Sequence, residues 1–195
     1  MKTEKIIAVA ILVGLIFRFT HIPGSGILLV LSLTSLASIY LVGAFYFFCD
    51  KQLKKQSIAL SIVSGILLCT IPIGILFKIQ YWPGGGFINL IIGTTSAVVI
   101  CIISFIKKSR SFDNLKGYYR NIFRRTLTLF LFGALFLFTP TATIIKLEYR
   151  EDPELARLMI LSYSNPNNEE YNKELTNYIM KKDSLNYFKD NNNYH

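Results

Sequence analysis

A thirteen-residue pattern occurs twice in this chain, sixty residues apart. The first copy reads Gly14-Leu15-Ile16-Phe17-Arg18-Phe19-Thr20-His21-Ile22-Pro23-Gly24-Ser25-Gly26. The second reads Gly74-Ile75-Leu76-Phe77-Lys78-Ile79-Gln80-Tyr81-Trp82-Pro83-Gly84-Gly85-Gly86. Each copy closes one long apolar run and opens another. Proline cannot continue a helix, and glycine adopts the backbone angles that a tight reversal needs. Two apolar runs meeting at such a turn predict a membrane hairpin, here built twice. Pro23, Gly24, Gly26, Pro83, Gly84 and Gly86 are the predicted turn residues.

The apolar residues come in blocks. Residues 6–17, 27–48, 58–77, 87–106 and 127–145 contain no Asp, Glu, Lys or Arg. A membrane span takes about 20 mostly apolar residues. The first block reaches that length if Arg18 snorkels to the interface. Lys2 and Lys5 ahead of it imitate a signal peptide. However, its small-residue stretch Gly24-Ser25-Gly26 maps onto Gly84-Gly85-Gly86 in mid-chain, so the segment is predicted to stay as a span. The expected fold is therefore all-α: a polytopic integral membrane protein with five transmembrane helices. Two tandem parallel hairpins (6–48 and 58–106) come first, then a cytoplasmic segment (107–125), a fifth span (126–147) and a small extracytoplasmic helical tail (148–195).

Charge sets the expected orientation. The formal net charge is +9, yet residues 1–145 hold fourteen Lys and Arg against three acids, and residues 146–195 hold seven against nine. The basic residues lie between the blocks, as the positive-inside rule requires, and not in a nucleic-acid-binding patch. With the N-terminus inside, loop 50–56 and stretch 107–125 are cytoplasmic, while turns 18–26 and 78–86 and the tail are outside. The bacterial cytoplasmic membrane is the expected location. Both hairpins then run the same way, unlike the inverted repeats of many transporters.

Small residues recur at four-residue spacing within the blocks and predict close helix packing. Examples are Ala10 and Gly14, Thr34 and Ser38, Ser61 with Gly65 and Cys69, and Gly93 with Ala97 and Cys101. Pro72 should kink the third span. Asn89, Thr94, Thr95 and Ser96 form a polar seam in the fourth. In 107–125, Phe112, Leu115, Tyr119, Ile122 and Phe123 share a helical face opposite basic residues. That pattern predicts an amphipathic helix on the inner leaflet, with Lys107, Lys108, Arg110, Arg120, Arg124 and Arg125 meeting anionic lipid. In the tail, Asp152 can cap a helix that starts at Pro153. Asn165-Pro166-Asn167-Asn168 breaks it, and a second helical pattern starts at Glu169.

The missing chemistry is informative. No carboxylate lies inside an apolar block, although ion-driven pumps usually place an ionisable group at membrane depth. Cys49, Cys69 and Cys101 have no metal-ligand spacing. His21 has no evident acid–base partner, and no nucleophile or phosphate-loop motif is found. No enzyme activity, cofactor or metal is expected.

The segment Phe77-Lys78-Ile79-Gln80-Tyr81-Trp82-Pro83-Gly84, followed by Ile92-Gly93-Thr94, resembles the membrane hairpin of GldL. That family supplies a component of the Bacteroidota gliding-motility and type IX secretion motor. The similarity spans about 30 residues and implies an inner-membrane hairpin with an outward turn. The family's intramembrane glutamate falls on Ser96 here, and on Leu36 in the first copy, so its proton use does not carry over. The expected function is a non-enzymatic scaffold or accessory subunit of an envelope complex, with a membrane partner or a second copy of the chain. Alternatives are a small transporter or channel, and a membrane immunity-type binder.

Overall fold

The computed structural model describes residues 2–22, 24–48, 58–82, 84–110 and 113–192. Pro23, Pro83, Cys49, Phe112 and the loop 50–56 lie outside the described residues. Every regular element among the described residues is an α-helix: α1 (Lys2–Phe19), α2 (Ser25–Phe48), α3 (Ile58–Leu68), α4 (Thr70–Ile79), α5 (Gly85–Arg110), α6 (Asp113–Phe138), α7 (Thr141–Glu148), α8 (Pro153–Ser164) and α9 (Glu169–Asn192). Four stretches are long and apolar enough to cross a membrane: Ser25–Val42, Ile58–Ile79, Gly85–Arg110 and Leu115–Phe138. The chain divides into two compact units, Met1–Pro140 and Thr141–His195.

Charge at both ends separates α1 from those four. Lys2, Glu4, Lys5 and Arg18 bracket its apolar centre. Nevertheless α1 lies along α2. A side chain on Gly14 would meet Leu29 at 3.0 Å, and Glu4 near the other end accepts a hydrogen bond from the Tyr40 hydroxyl at 3.3 Å.

Pro72 interrupts the third apolar block. Its ring nitrogen cannot donate to the preceding turn, and the helix breaks at Cys69, between α3 and α4. Thr70 Oγ1 donates to the Leu67 carbonyl at 2.7 Å and Cys69 Sγ to that of Ile66 at 3.0 Å, which satisfies part of the loosened backbone.

The first unit is built from α1 to α6. Its most extensive packing is α5 on α6, then α4 on α5 and α1 on α2. Leu29, Leu33, Leu68, Ile71, Leu90 and Ile122 are fully buried in one cluster. In lipid such side chains gain little from leaving water, so contact quality between helices must hold the bundle together.

The structure draws two boundaries differently from the sequence. Residues 107–125 do not form a separate helix on a leaflet: α5 runs to Arg110, and α6 carries Leu115 unbroken to Phe138. Tyr119 and Ile122, expected to face lipid, are buried in the bundle. A neighbouring helix offers that apolar stripe closer packing than an interface does. The span also stops at Phe138 and does not reach 147. Pro140 ends it, because the residue before a proline is pushed out of the helical region. Thr139 Oγ1 folds back to the Leu135 carbonyl at 2.8 Å, and α7 begins the second unit.

In the second unit Asp152 caps α8 as expected, accepting from the Leu155 N–H at 3.0 Å with Pro153 at the first helical position. Leu155 and Leu158 are buried. The break at 165–168 turns the chain so that α9 packs on α8, and Ser162 bonds Asn172 at 2.6 Å.

Candidate functional site: two joined turns

The two turns of the duplicated pattern share one backbone solution. Ile22 N–H bonds the Phe17 carbonyl at 2.9 Å and His21 N–H that of Arg18 at 3.2 Å. In the second turn Trp82 N–H bonds Phe77 at 3.0 Å and Tyr81 N–H bonds Lys78 at 3.4 Å. This paired closure is the Schellman helix ending, which requires a left-handed residue just past the helix. His21 (φ 55°) and Tyr81 (φ 57°) take that role without being glycine. Three residues on, Gly24 (φ 86°) and Gly84 (φ 85°) are also left-handed, with open space around them. Backbone conformation, not crowding, is therefore what demands glycine at 24 and 84.

The turns are joined to each other. The Arg18 guanidinium lies 5.5 Å from the centre of the Tyr81 ring, and Gln80 Nε2 donates to the Gly26 carbonyl at 3.3 Å. Trp82 stands edge-on to Phe77 with centroids 5.2 Å apart, while 45% of its surface stays exposed. Phe19 and Ile22 are exposed as well. Residues 54 apart in sequence thus make one surface carrying a cation, an aromatic pair and apolar side chains.

Below the turns, glycine sets the helix separation. A Cβ on Gly74 would lie 2.9 Å from the Leu90 nitrogen, and one on Gly86 would lie 3.1 Å from the Lys78 nitrogen. One on Gly93 would sit 2.5 Å from Ile71 Cγ1. Gly65 and Ala97 are buried too. These small residues serve contacts within the chain. Thr34 and Ser38 are exposed, so that stripe does not.

The predicted polar seam does not form a continuous line. Thr94 is buried, but its hydroxyl donates to the Leu90 carbonyl of its own helix at 2.6 Å. Thr95 is exposed, and Asn89 and Ser96 are half-buried. Buried polarity lies elsewhere. Ser61 and Tyr118 hydroxyls share a hydrogen bond of 2.6 Å between α3 and α6, and the hydroxyls of Ser64, Ser104 and Thr126 are buried without a hydrogen-bond partner among the described residues. Lys78, the first residue of the turn 78–86, is buried, and its ammonium donates to the Phe136 carbonyl of α6.

At the opposite end of the bundle the basic residues divide. Lys107, Arg110, Arg120 and Arg124 are exposed, and Lys107 lies 6.0 Å from the Tyr119 ring centre. Arg125 instead lies 3.1 Å from the Glu4 carboxylate. The sequence reading missed this pair because the two residues are far apart in the chain. Among the described residues, no cluster of His, Cys, Asp and Glu could hold a metal. No family model, curated protein or solved structure matches the chain.

Proposed function

We propose that this chain is a non-enzymatic, multi-pass scaffold or accessory subunit of a bacterial envelope complex. In this reading α1 is a fifth span, and α1–α2 and α4–α5 form two tandem hairpins in the cytoplasmic membrane. The N-terminus lies inside and the tail outside. The resemblance to GldL then reflects a shared way of placing a turn at the membrane surface, not a shared motor.

One observation carries the proposal. Arg18 on Tyr81 and Gln80 on Gly26 fix two turns as one preformed surface, leaving Trp82, Ile22 and Phe19 exposed on it. Rigid aromatic and apolar anchors beside arginine are the residue types that dominate protein interfaces. The test is a photo-crosslinking amino acid at position 82, with one at the exposed mid-span position of Ile102 as control. One envelope protein should be captured from position 82 alone, and the capture should be lost in Arg18→Ala/Tyr81→Ala. Capture of nothing, or only of a second copy of the chain, would overturn the proposal.

A second reading is a small transporter. The unpartnered hydroxyls of Ser64, Ser104 and Thr126 on α3, α5 and α6 favour it. Solute flux in proteoliposomes that falls in Ser64→Ala/Ser104→Ala would support this reading over the first.

A further inference from the structure

We propose that the second unit carries a binding site for an anionic phospholipid, on the groove between α7 and α8. The groove has a volume of about 540 Å³, within the usual range of ligand sites. Lys146, Arg150 and Arg157 line it together with Tyr149, Ile160 and Leu161.

The three cations are not equivalent. Arg157 is held by Glu154 at 2.8 Å and Glu174 at 3.6 Å, so its charge is largely answered within the unit. Lys146 and Arg150 are exposed, and among the described residues neither has an ion-pair partner. Two unanswered positive charges at the rim of a groove attract a phosphate group. Ile160 and Leu161 are half-buried in the same groove and offer that ligand an apolar contact.

The combination selects the occupant. A free phosphate would use the cations and leave the apolar lining in water. A phospholipid uses both, with its phosphodiester on Lys146 and Arg150 and the start of an acyl chain on Ile160 and Leu161. Chain connectivity agrees, since only Thr139 and Pro140 separate α7 from the membrane-length helix α6. The site is distinct from the basic cluster of α5 and α6, which belongs to the other unit.

The test is lipid titration of the full-length protein in a mild non-ionic detergent, read by native mass spectrometry. The probes are dioleoyl-phosphatidylglycerol, dioleoyl-phosphatidylcholine and inorganic phosphate. The wild type should prefer phosphatidylglycerol. Lys146→Gln/Arg150→Gln should lose about thirty-fold of that preference, and each single variant about five-fold. Lys146→Arg/Arg150→Lys should retain it, and so should Lys181→Gln, an exposed lysine of α9 outside the groove. Ile160→Gln should weaken binding of both dioleoyl lipids and leave inorganic phosphate unaffected. An unchanged preference in the double Gln variant would overturn the site, as would an equal loss in Lys181→Gln. Inorganic phosphate that displaces the lipid at equal concentration would show an anion site and not a lipid site. Should the double Gln variant lose its thermal transition, the single variants decide by the same five-fold criterion.

Discussion

The Arg125 guanidinium lies 3.1 Å from the Glu4 carboxylate, and each side chain keeps less than a fifth of its surface exposed, at 10% and 18%. Tyr40 donates to the same carboxylate from α2. The three residues come from three helices, so the cluster ties the start of α1 to the rest of the bundle. Removing one charge leaves its partner poorly solvated, which is worse than removing both. Glu4→Gln should therefore destabilise the first unit by about 1–3 kcal/mol. Glu4→Gln/Arg125→Met should recover much of that loss. Thermal unfolding in detergent, followed by circular dichroism, measures both. A double variant that melts below each single variant would refute the coupling.

Glycine substitutions should split by sign. At Gly93 a methyl group would sit 2.5 Å from Ile71 Cγ1 and 3.1 Å from the Ile71 nitrogen, where backbone cannot yield cheaply. Gly93→Ala should destabilise by about 1–3 kcal/mol through overpacking. Gly117 lies within α6 with nothing inside 4 Å. Gly117→Ala should raise stability by up to about 1 kcal/mol, because alanine is the better helix former. Melting temperatures in one detergent test the pair, and a fall for both would discard the contact geometry as the cause.

The buried hydroxyls predict another contrast. Ser104 Oγ has no hydrogen-bond partner among the described residues, so Ser104→Ala removes an unsatisfied group and should be neutral or slightly stabilising. Ser61 shares a buried hydrogen bond with Tyr118 between α3 and α6, so Ser61→Ala removes an interhelical bond and should lower stability by about 1 kcal/mol. Equal melting temperatures for the two variants would contradict the assignment.

Which features were legible in the sequence follows from their range. Apolar length alone marks the membrane-length helices, and the Asp152-Pro153 start of α8 is a local signal that the structure repeats. The Pro72 break is equally local. The limits of α6 were not legible. The basic stretch 107–125 reads as a helix of its own, while the face of α6 that packs on α5 becomes visible only when the neighbour is in place. For Lys78, Gln80 and Glu4 the partners were not legible, for a related reason. Each is satisfied by a group more than 50 residues away, at Phe136, Gly26 and Arg125, and no local spacing encodes such a partner.

The closing prediction concerns acid. Asp152 accepts hydrogen bonds from Lys182 Nζ at 2.6 Å, the Leu155 N–H at 3.0 Å and the Tyr178 hydroxyl at 2.9 Å, so one carboxylate both caps α8 and anchors α9. The Lys182 bond foremost, then the Leu155 amide, holds its carboxyl below the ordinary 3.8. Since the folded group titrates below the unfolded one, the stabilisation is fully present above about pH 3.8 and is lost as the pH falls through the lower folded value. Hydrogen exchange in α8 and α9 should accelerate below that pH. Asp152→Asn keeps a good helix cap but drops the charge. It should loosen α9 at neutral pH, spare the start of α8 and flatten the acid response. An acid step that survives Asp152→Asn would place the titrating group elsewhere.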